Sequence, residues 1–201
     1  MLSERDKKEV EKILSEMKEK VTVMFFKDKT NRFESILDEL SKINSKVVVE
    51  KYFSSSEESK KFGLEFFPSI VFKEKQNVRF IGLPLGYEFS VFLQDIVSIS
   101  NNRIDLSLDA AKKISKIDKK VNIKVFVTPT CPYCPGAVYI AHQFALLNNN
   151  IVSEMIESTE FPELAEKYDV YAVPKIVIND KVEFEGAVPD NFFANKVLEA
   201  L

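Results

Sequence analysis

The chain has 201 residues, 45% of them hydrophobic and 17 of them Phe, and its 28 basic and 31 acidic side chains leave a formal charge of −3. The two signs are interspersed with no long block of either, which argues against nucleic acid or an anionic membrane as partner. Two Cys in total cannot build a secreted disulfide framework, whereas they suit a cytosolic redox pair.

The start, Met1-Leu2-Ser3-Glu4-Arg5-Asp6-Lys7-Lys8, lacks the apolar core of a signal peptide. No later stretch has 18 consecutive apolar residues. The expected location is therefore the cytoplasm. The apolar content supports one large domain or two of about 100 residues each.

In chain order, Val10, Ile13, Leu14 and Met17 recur at helical spacing and predict a first helix. Residues 21–26 (VTVMFF) read as a strand. Phe33, Ile36, Leu37, Leu40 and Ile43 mark a second helix, and residues 46–52 a second strand. Residues 54–62 open with three serines able to cap a helix. Residues 70–72 and 78–81 form a hairpin, and residues 88–100 a closing helix. The segment SNNRIDL at 100–106 then interrupts the apolar pattern and marks a boundary.

Beyond that boundary the same order returns. It predicts a helix at 107–120, a strand at 123–127, a long helix at 132–147, a strand at 151–156 and a helix at 161–168. Strands at 175–178 and 182–184 and a helix at 191–201 complete it. The segment FGLEFFPSIVF at 62–72 aligns without a gap on YDVYAVPKIVI at 168–178, 106 residues later. A period of about 100 residues is a domain duplication, since solenoid repeats run about 20–50. Each half reads α-β-α-β-α-β-β-α, an α/β unit whose strands are buried by helices on both faces.

Both cysteines lie in Thr130-Cys131-Pro132-Tyr133-Cys134-Pro135, where a predicted strand turns into a helix. Two thiols separated by two residues can open and close a disulfide with little backbone movement. Unpaired backbone N–H groups and the positive end of the helix dipole favour a thiolate there, and the thiolate is the form that attacks disulfides. Cys131 is the candidate nucleophile, expected to be partly exposed, and Cys134, one turn further in, the resolving thiol. Pro132 suits a first helical turn because it lacks an N–H that would go unpaired. A zinc site would need about four ligands, and the single histidine, His142, stands eight residues past Cys134. His142 is expected to be an ordinary, partly buried helix residue.

A strand, a CxxC helix, a strand, a helix and a Val-Pro before a hairpin resemble the thioredoxin fold. Pro-Tyr between the cysteines is the glutaredoxin variant. Two such units, with TPTCPYCP in the second, resemble the protein disulfide oxidoreductases of archaea and some bacteria across essentially the whole chain. Residues 80–89 (FIGLPLGYEF), 172–178 (AVPKIVI) and 182–186 (VEFEG) belong to that resemblance. It implies two tandem thioredoxin-like folds, each a central mixed β-sheet flanked by helices, at residues 1–104 and 105–201.

The first half departs from many such relatives. Its matching stretch is Lys27-Asp28-Lys29-Thr30-Asn31-Arg32-Phe33, with Thr30 and Phe33 where thiols would stand. This is similar to the N-terminal region of bacterial flavin-dependent alkyl hydroperoxide reductases, where two fused folds share one dithiol. The second redox site that the family's isomerase activity is argued to use is thus missing from this stretch.

The resemblance further implies that Pro174 is cis beside the dithiol, freeing the Val173 backbone to pair with an extended substrate, and that Tyr133 lines the groove. Pro68 is expected to be cis too, with a structural role. The buried acid of thioredoxins, six residues before the nucleophile, is replaced by Val125, so Lys124, Glu154, Glu157 and Lys175 are the charged candidates for modulating the thiols.

The implied activity is protein dithiol–disulfide exchange with no bound cofactor. Protein disulfides would be substrates, a thioredoxin reductase-like flavoprotein the electron donor, and a peroxiredoxin a further acceptor. The alternatives are a glutathione-dependent glutaredoxin using Cys131 alone, and a non-enzymatic holdase, which would keep its activity without either thiol.

The roles of the thiols make separable predictions. Cys131→Ser should abolish disulfide reduction, while Cys134→Ser should accumulate mixed disulfides on Cys131, because attack proceeds and resolution does not. Mass spectrometry of the trapped adducts checks this. Adducts on Cys134 of the Cys131→Ser protein, with none on Cys131 of the other, would reverse the assignment.

Overall fold

The computed structural model describes residues 2–201. The first half runs α1 (Glu4–Leu14), β1 (Val21–Lys27), α2 (Phe33–Ile43), β2 (Val47–Phe53), α3 (Glu57–Phe62), β3 (Ser69–Phe72), β4 (Val78–Ile81) and α4 (Glu88–Asn101). The second runs α5 (Leu108–Ile114), β5 (Val121–Val127), α6 (Cys134–Leu147), β6 (Ile151–Glu157), α7 (Pro162–Lys167), β7 (Lys175–Ile178), β8 (Val182–Glu185) and α8 (Asp190–Glu199). The predicted order holds in both halves.

Local chemistry sets several boundaries. Ser3 caps α1, its hydroxyl accepting from the Asp6 N–H while the Asp6 carboxylate accepts from the Ser3 N–H. Ser56 caps α3, which ends on Gly63 at φ 61°. The helix expected at 107–120 is shorter, Leu108–Ile114, and is capped by Ser107.

The expectation of one sheet per half is incomplete. All eight strands form a single sheet in the order β2-β1-β3-β4-β6-β5-β7-β8. The join is the parallel pairing of β4 with β6, from Val78 opposite Ser153 to Ile81 opposite Ile156. Asn77 staples its end: its side-chain amide donates to Ala145 O (2.6 Å) and Ile151 O (2.8 Å), and its carbonyl accepts from Ser153 N–H (2.8 Å).

The equivalent hairpin strands show why. In β4, VRFI, three of the four side chains are buried and Arg79 is half-buried, whereas β8, VEFE, alternates half-buried and exposed. β4 sits mid-sheet with Phe80 under α4 and α6, and β8 is an outer edge protected by Glu183 and Glu185.

Helices α4 and α6 pack across the join on one face. Phe80, fully buried, touches Phe72 and Phe92 of its own half and meets the His142 ring edge-on at 4.9 Å. His142 is therefore a helix residue as expected but not a partly buried one: it is 0% exposed, and its Nδ1 lies 2.6 Å from Asp95 Oδ2 on α4. Sequence periodicity placed His142 on its helix but could not supply a partner 47 residues away.

One core thus crosses both halves. Residues 105–201 produced alone should expose the β6 edge, the Phe80-facing side of α6 and an unpaired His142. Thermal unfolding should then show a Tm lower than that of the full chain by at least about 10 °C. A fragment melting at the full-chain temperature would show that the join contributes little.

Candidate active site

Strand β5 is buried and ends at Val127, and residues 128–133 carry the chain across to α6. Cys131 and Cys134 form a disulfide with Cα atoms 5.5 Å apart. The helix begins at Cys134 rather than Pro132, and Pro135 is the proline of its first turn. Pro132 and Tyr133 precede the helix and are exposed, Tyr133 by 70%. Pro135 fits this start, because its missing N–H is tolerated in the first turn and would cost a helical hydrogen bond if the helix began at Pro132.

The Cys131 sulfur has two backbone neighbours. The Cys134 N–H points at it from 3.1 Å, the geometry in which a helix-terminal amide stabilises a thiolate. On its other side the Val173 carbonyl oxygen lies 3.6 Å away. The Val173–Pro174 bond is cis, as is Phe67–Pro68. Cys131 is only 7% exposed and Cys134 fully buried, so Cys131 is more enclosed than a partly exposed nucleophile, yet it is the accessible one of the pair.

The four charged candidates are committed elsewhere. Lys124 pairs with Asp180 (3.0 Å), and Glu154 faces Arg79 (3.5 Å). Glu157 accepts from the Thr159 hydroxyl and the Glu160 N–H. Lys175, 5% exposed, donates to the Asp169 carbonyl (3.2 Å) and pairs with Glu183 (3.0 Å). It thereby ties both ends of the loop that carries Val173.

A buried carboxyl does stand near the strand-to-helix loop, and it belongs to the first half. Loop 83–87 lies against the strand-to-helix loop of the second half, with the Tyr87 N–H donating to the Pro129 carbonyl at 3.2 Å. Gly86, at φ 62°, is required there: a Cβ would sit 2.1 Å from the Pro129 oxygen. Glu88 follows as the first residue of α4, 1% exposed, neither carboxylate oxygen having a hydrogen-bond partner among the described residues.

Burial, with Asp95 adding repulsion, pushes Glu88 up to about 8. Burial also pushes the Asp95 carboxyl up, although His142 pulls the other way. The signal available in sequence was Glu88 inside GLPLGYEF, but nothing there links it to a dithiol 43 residues on.

In the half without thiols, Phe33 opens α2 as Cys134 opens α6. It is fully buried against Phe25 and Phe92, filling the space with a ring.

Glu88 makes stability depend on pH with a defined sign. Its folded value of about 8 lies above the ordinary 4.5, so the native state binds the extra proton between those values. Stability is full below about 4.5 and falls as pH rises toward 8. Glu88→Gln, which cannot ionise, should flatten that decline and unfold at higher temperature than the unmutated chain at pH 8. Calorimetry of both proteins from pH 5 to 8 checks this, and parallel curves would remove Glu88 as its source.

Comparison with known proteins supports the geometry. Residues 121–199 match the family described as thioredoxin domain. Over 145 residues the chain is 26% identical to NADH dehydrogenase of Bacillus subtilis, covering 72% of this chain and 27% of that protein. Over 106 residues it is 29% identical to the F component of the alkyl hydroperoxide reductase of Staphylococcus aureus, covering 53% and 20%. The chain thus spans about a quarter of the length of these relatives.

Among solved structures, a protein disulfide oxidoreductase from Aeropyrum pernix superposes with TM-score 0.85 at 29% identity, covering 98% of this chain and 92% of that one. The NTD_N/C domain of alkylhydroperoxide reductase AhpF from Enterococcus faecalis superposes with TM-score 0.89 at 23% identity, covering 98% and 100%, a likeness of fold. With its dithiol at the head of α6 and two tandem folds in one sheet, the chain is similar to these thioredoxin-fold proteins, and its residues 121–199 match the thioredoxin domain.

Proposed function

We propose that the chain exchanges protein disulfides through Cys131 and Cys134, with residues 1–104 and 105–201 as its two units. The observation that carries the roles is the placement of the Cys131 sulfur between the Cys134 N–H and the Val173 carbonyl. The Cys131 thiolate attacks one sulfur of a substrate disulfide, the other leaves as a thiolate, and a mixed disulfide remains. The Cys134 thiolate then attacks the Cys131 sulfur, expelling the second substrate thiolate and closing Cys131–Cys134. Two electrons pass to the substrate, and the chain is left oxidised.

Each residue has a part. Pro132 and Tyr133 face the incoming substrate, and Val173 before Pro174 offers main chain to an extended segment. Glu88, buried behind the Tyr87–Pro129 contact, is the proton acceptor that Val125 cannot be, its ionised carboxylate taking the Cys134 proton as that thiol becomes nucleophilic.

The chain has no nucleotide-binding motif of its own, so electrons come from a flavoprotein reductase. The names of the relatives, an NADH dehydrogenase and an alkyl hydroperoxide reductase, support that donor and point to a peroxiredoxin as acceptor. No helix among the described residues is long and apolar enough to cross a membrane, and the chemistry fits a reducing cytoplasm.

Insulin reduction with two donor systems tests this. NADH with a flavoprotein thioredoxin reductase should sustain turnover at least tenfold faster than glutathione, and Cys134→Ser should be inactive with either. Equal or faster turnover with glutathione, kept in Cys134→Ser, would favour a glutaredoxin working through Cys131 alone.

A further inference from the structure

The three loops that meet at the dithiol share a composition. Residues 82–87 (GLPLGY), 128–137 (TPTCPYCPGA) and 170–174 (VYAVP) contain no charged residue, although 29% of the whole chain is Asp, Glu, Lys or Arg. They are in direct contact, through Tyr87 N–H on Pro129 O at 3.2 Å and the Cys131 sulfur 3.6 Å from Val173 O. They come from both halves.

Each loop leaves one tyrosine open to solvent: Tyr87 at 54%, Tyr133 at 70% and Tyr171 at 88% exposed. The other three tyrosines lie lower, with hydroxyls bound to carboxylates, Tyr52 on Glu50, Tyr139 on Asp105 and Tyr168 on Asp180. The Tyr171 hydroxyl reaches Asp169 at 3.4 Å, where the uncharged zone ends. Glu88, next after Tyr87, does not break the zone, because it is buried.

We propose that Tyr87, Tyr133 and Tyr171 form one substrate rim contributed by both halves, and that its occupant is an extended, uncharged segment flanking a disulfide in a protein partner. The proposal rests on the disulfide-exchange reading above and extends it to substrate class. It makes Tyr87 a substrate-binding residue of the half that has no thiol.

The chemistry of the rim selects this occupant. A tyrosine ring supplies a large contact area while fixing only two side-chain torsions, and its hydroxyl remains wet. A charged flank would lose hydration against loops that carry no charge of their own, and an acidic one would also meet Glu160 and Asp169 at their border. Main-chain pairing at Val173 requires the segment to be extended. With no charge of either sign on these loops, the contact they make adds little electrostatic attraction for salt to screen.

The test uses the full chain, with insulin as protein disulfide and dithiodipyridine as a small, uncharged one. Tyr87→Ser should raise KM for insulin by about five- to tenfold with kcat held. Its rate with dithiodipyridine and its redox equilibrium with glutathione should match the unmutated chain. Tyr87→Phe should restore most of the affinity, which a folding defect would not. For the unmutated chain, kcat/KM on insulin should change by less than about twofold between low and high salt.

An unchanged KM in Tyr87→Ser, or a steep salt dependence, overturns the rim alone. So would sedimentation showing a dimer that Tyr87→Ser dissociates, because the rim would then be covered by a second copy. Failure of the unmutated chain to react with dithiodipyridine would overturn disulfide exchange itself, and the rim with it.

Discussion

The parallel pairing of β4 with β6 is the constraint on which the rest of this structure depends. It turns two four-stranded sheets into one of eight strands and buries both faces of a strand that would otherwise be an edge. A buried strand with unpaired backbone groups would be costly, so pairing and burial require each other. Once β4 lies beside β6, α4 lies beside α6, and loop 83–87 reaches the turn that presents Cys131. Gly82 is drawn into the same contact, at φ 97° with Glu157 and Glu160 against it and the Leu83 N–H on Glu160 (2.6 Å).

That seam gathers buried ionisable groups from both halves. A single thioredoxin-like unit can place an acid beneath its dithiol from its own strand, but here that position is Val125, fully buried and apolar. The ionisable groups of the seam belong to α4 and α6 together: Glu88 and Asp95 from one half, His142 from the other. Asp95 and His142 are fully buried, and each keeps one polar atom without a partner among the described residues. Such a pair is weak evidence for added stability, since desolvation offsets much of the attraction. It does set the register of α4 on α6, because losing either member leaves the other buried and unpaired. The first half, with Phe33 in place of a thiol, thus still shares a buried polar seam and a core with the second.

The join is head to tail rather than two-fold. β4 meets β6, the counterpart of β2, so the free edges are β2 and β8, the other members of the same two kinds. A heterologous contact of this sort could continue from chain to chain. At the inner edges the charges are opposite and face each other, Arg79 of β4 and Glu154 of β6 (3.5 Å), whereas the outer edges carry Glu50 and Lys51 on β2 and Glu183 and Glu185 on β8. Charge at an edge opposes further pairing.

The sequence by itself determined the order of all sixteen elements, the duplication, the dithiol and the prolines at 68 and 174. Those features are local: hydrophobic period, turn residues and a four-residue spacing each act over a few neighbours, and the aligned halves report the same pattern twice. It even held a trace of the join, since VRFI and VEFE differ in the polarity of one position. Only the tertiary structure decided that the sheets fuse, that His142 finds Asp95, that Lys175 holds a loop instead of tuning a thiol, and that Glu88 lies in the seam beside the strand-to-helix turn. Each of these joins residues far apart in the chain or turns on where a flexible side chain ends. Periodicity assigns a residue to a face; which partner meets that face depends on the packing of the complete core.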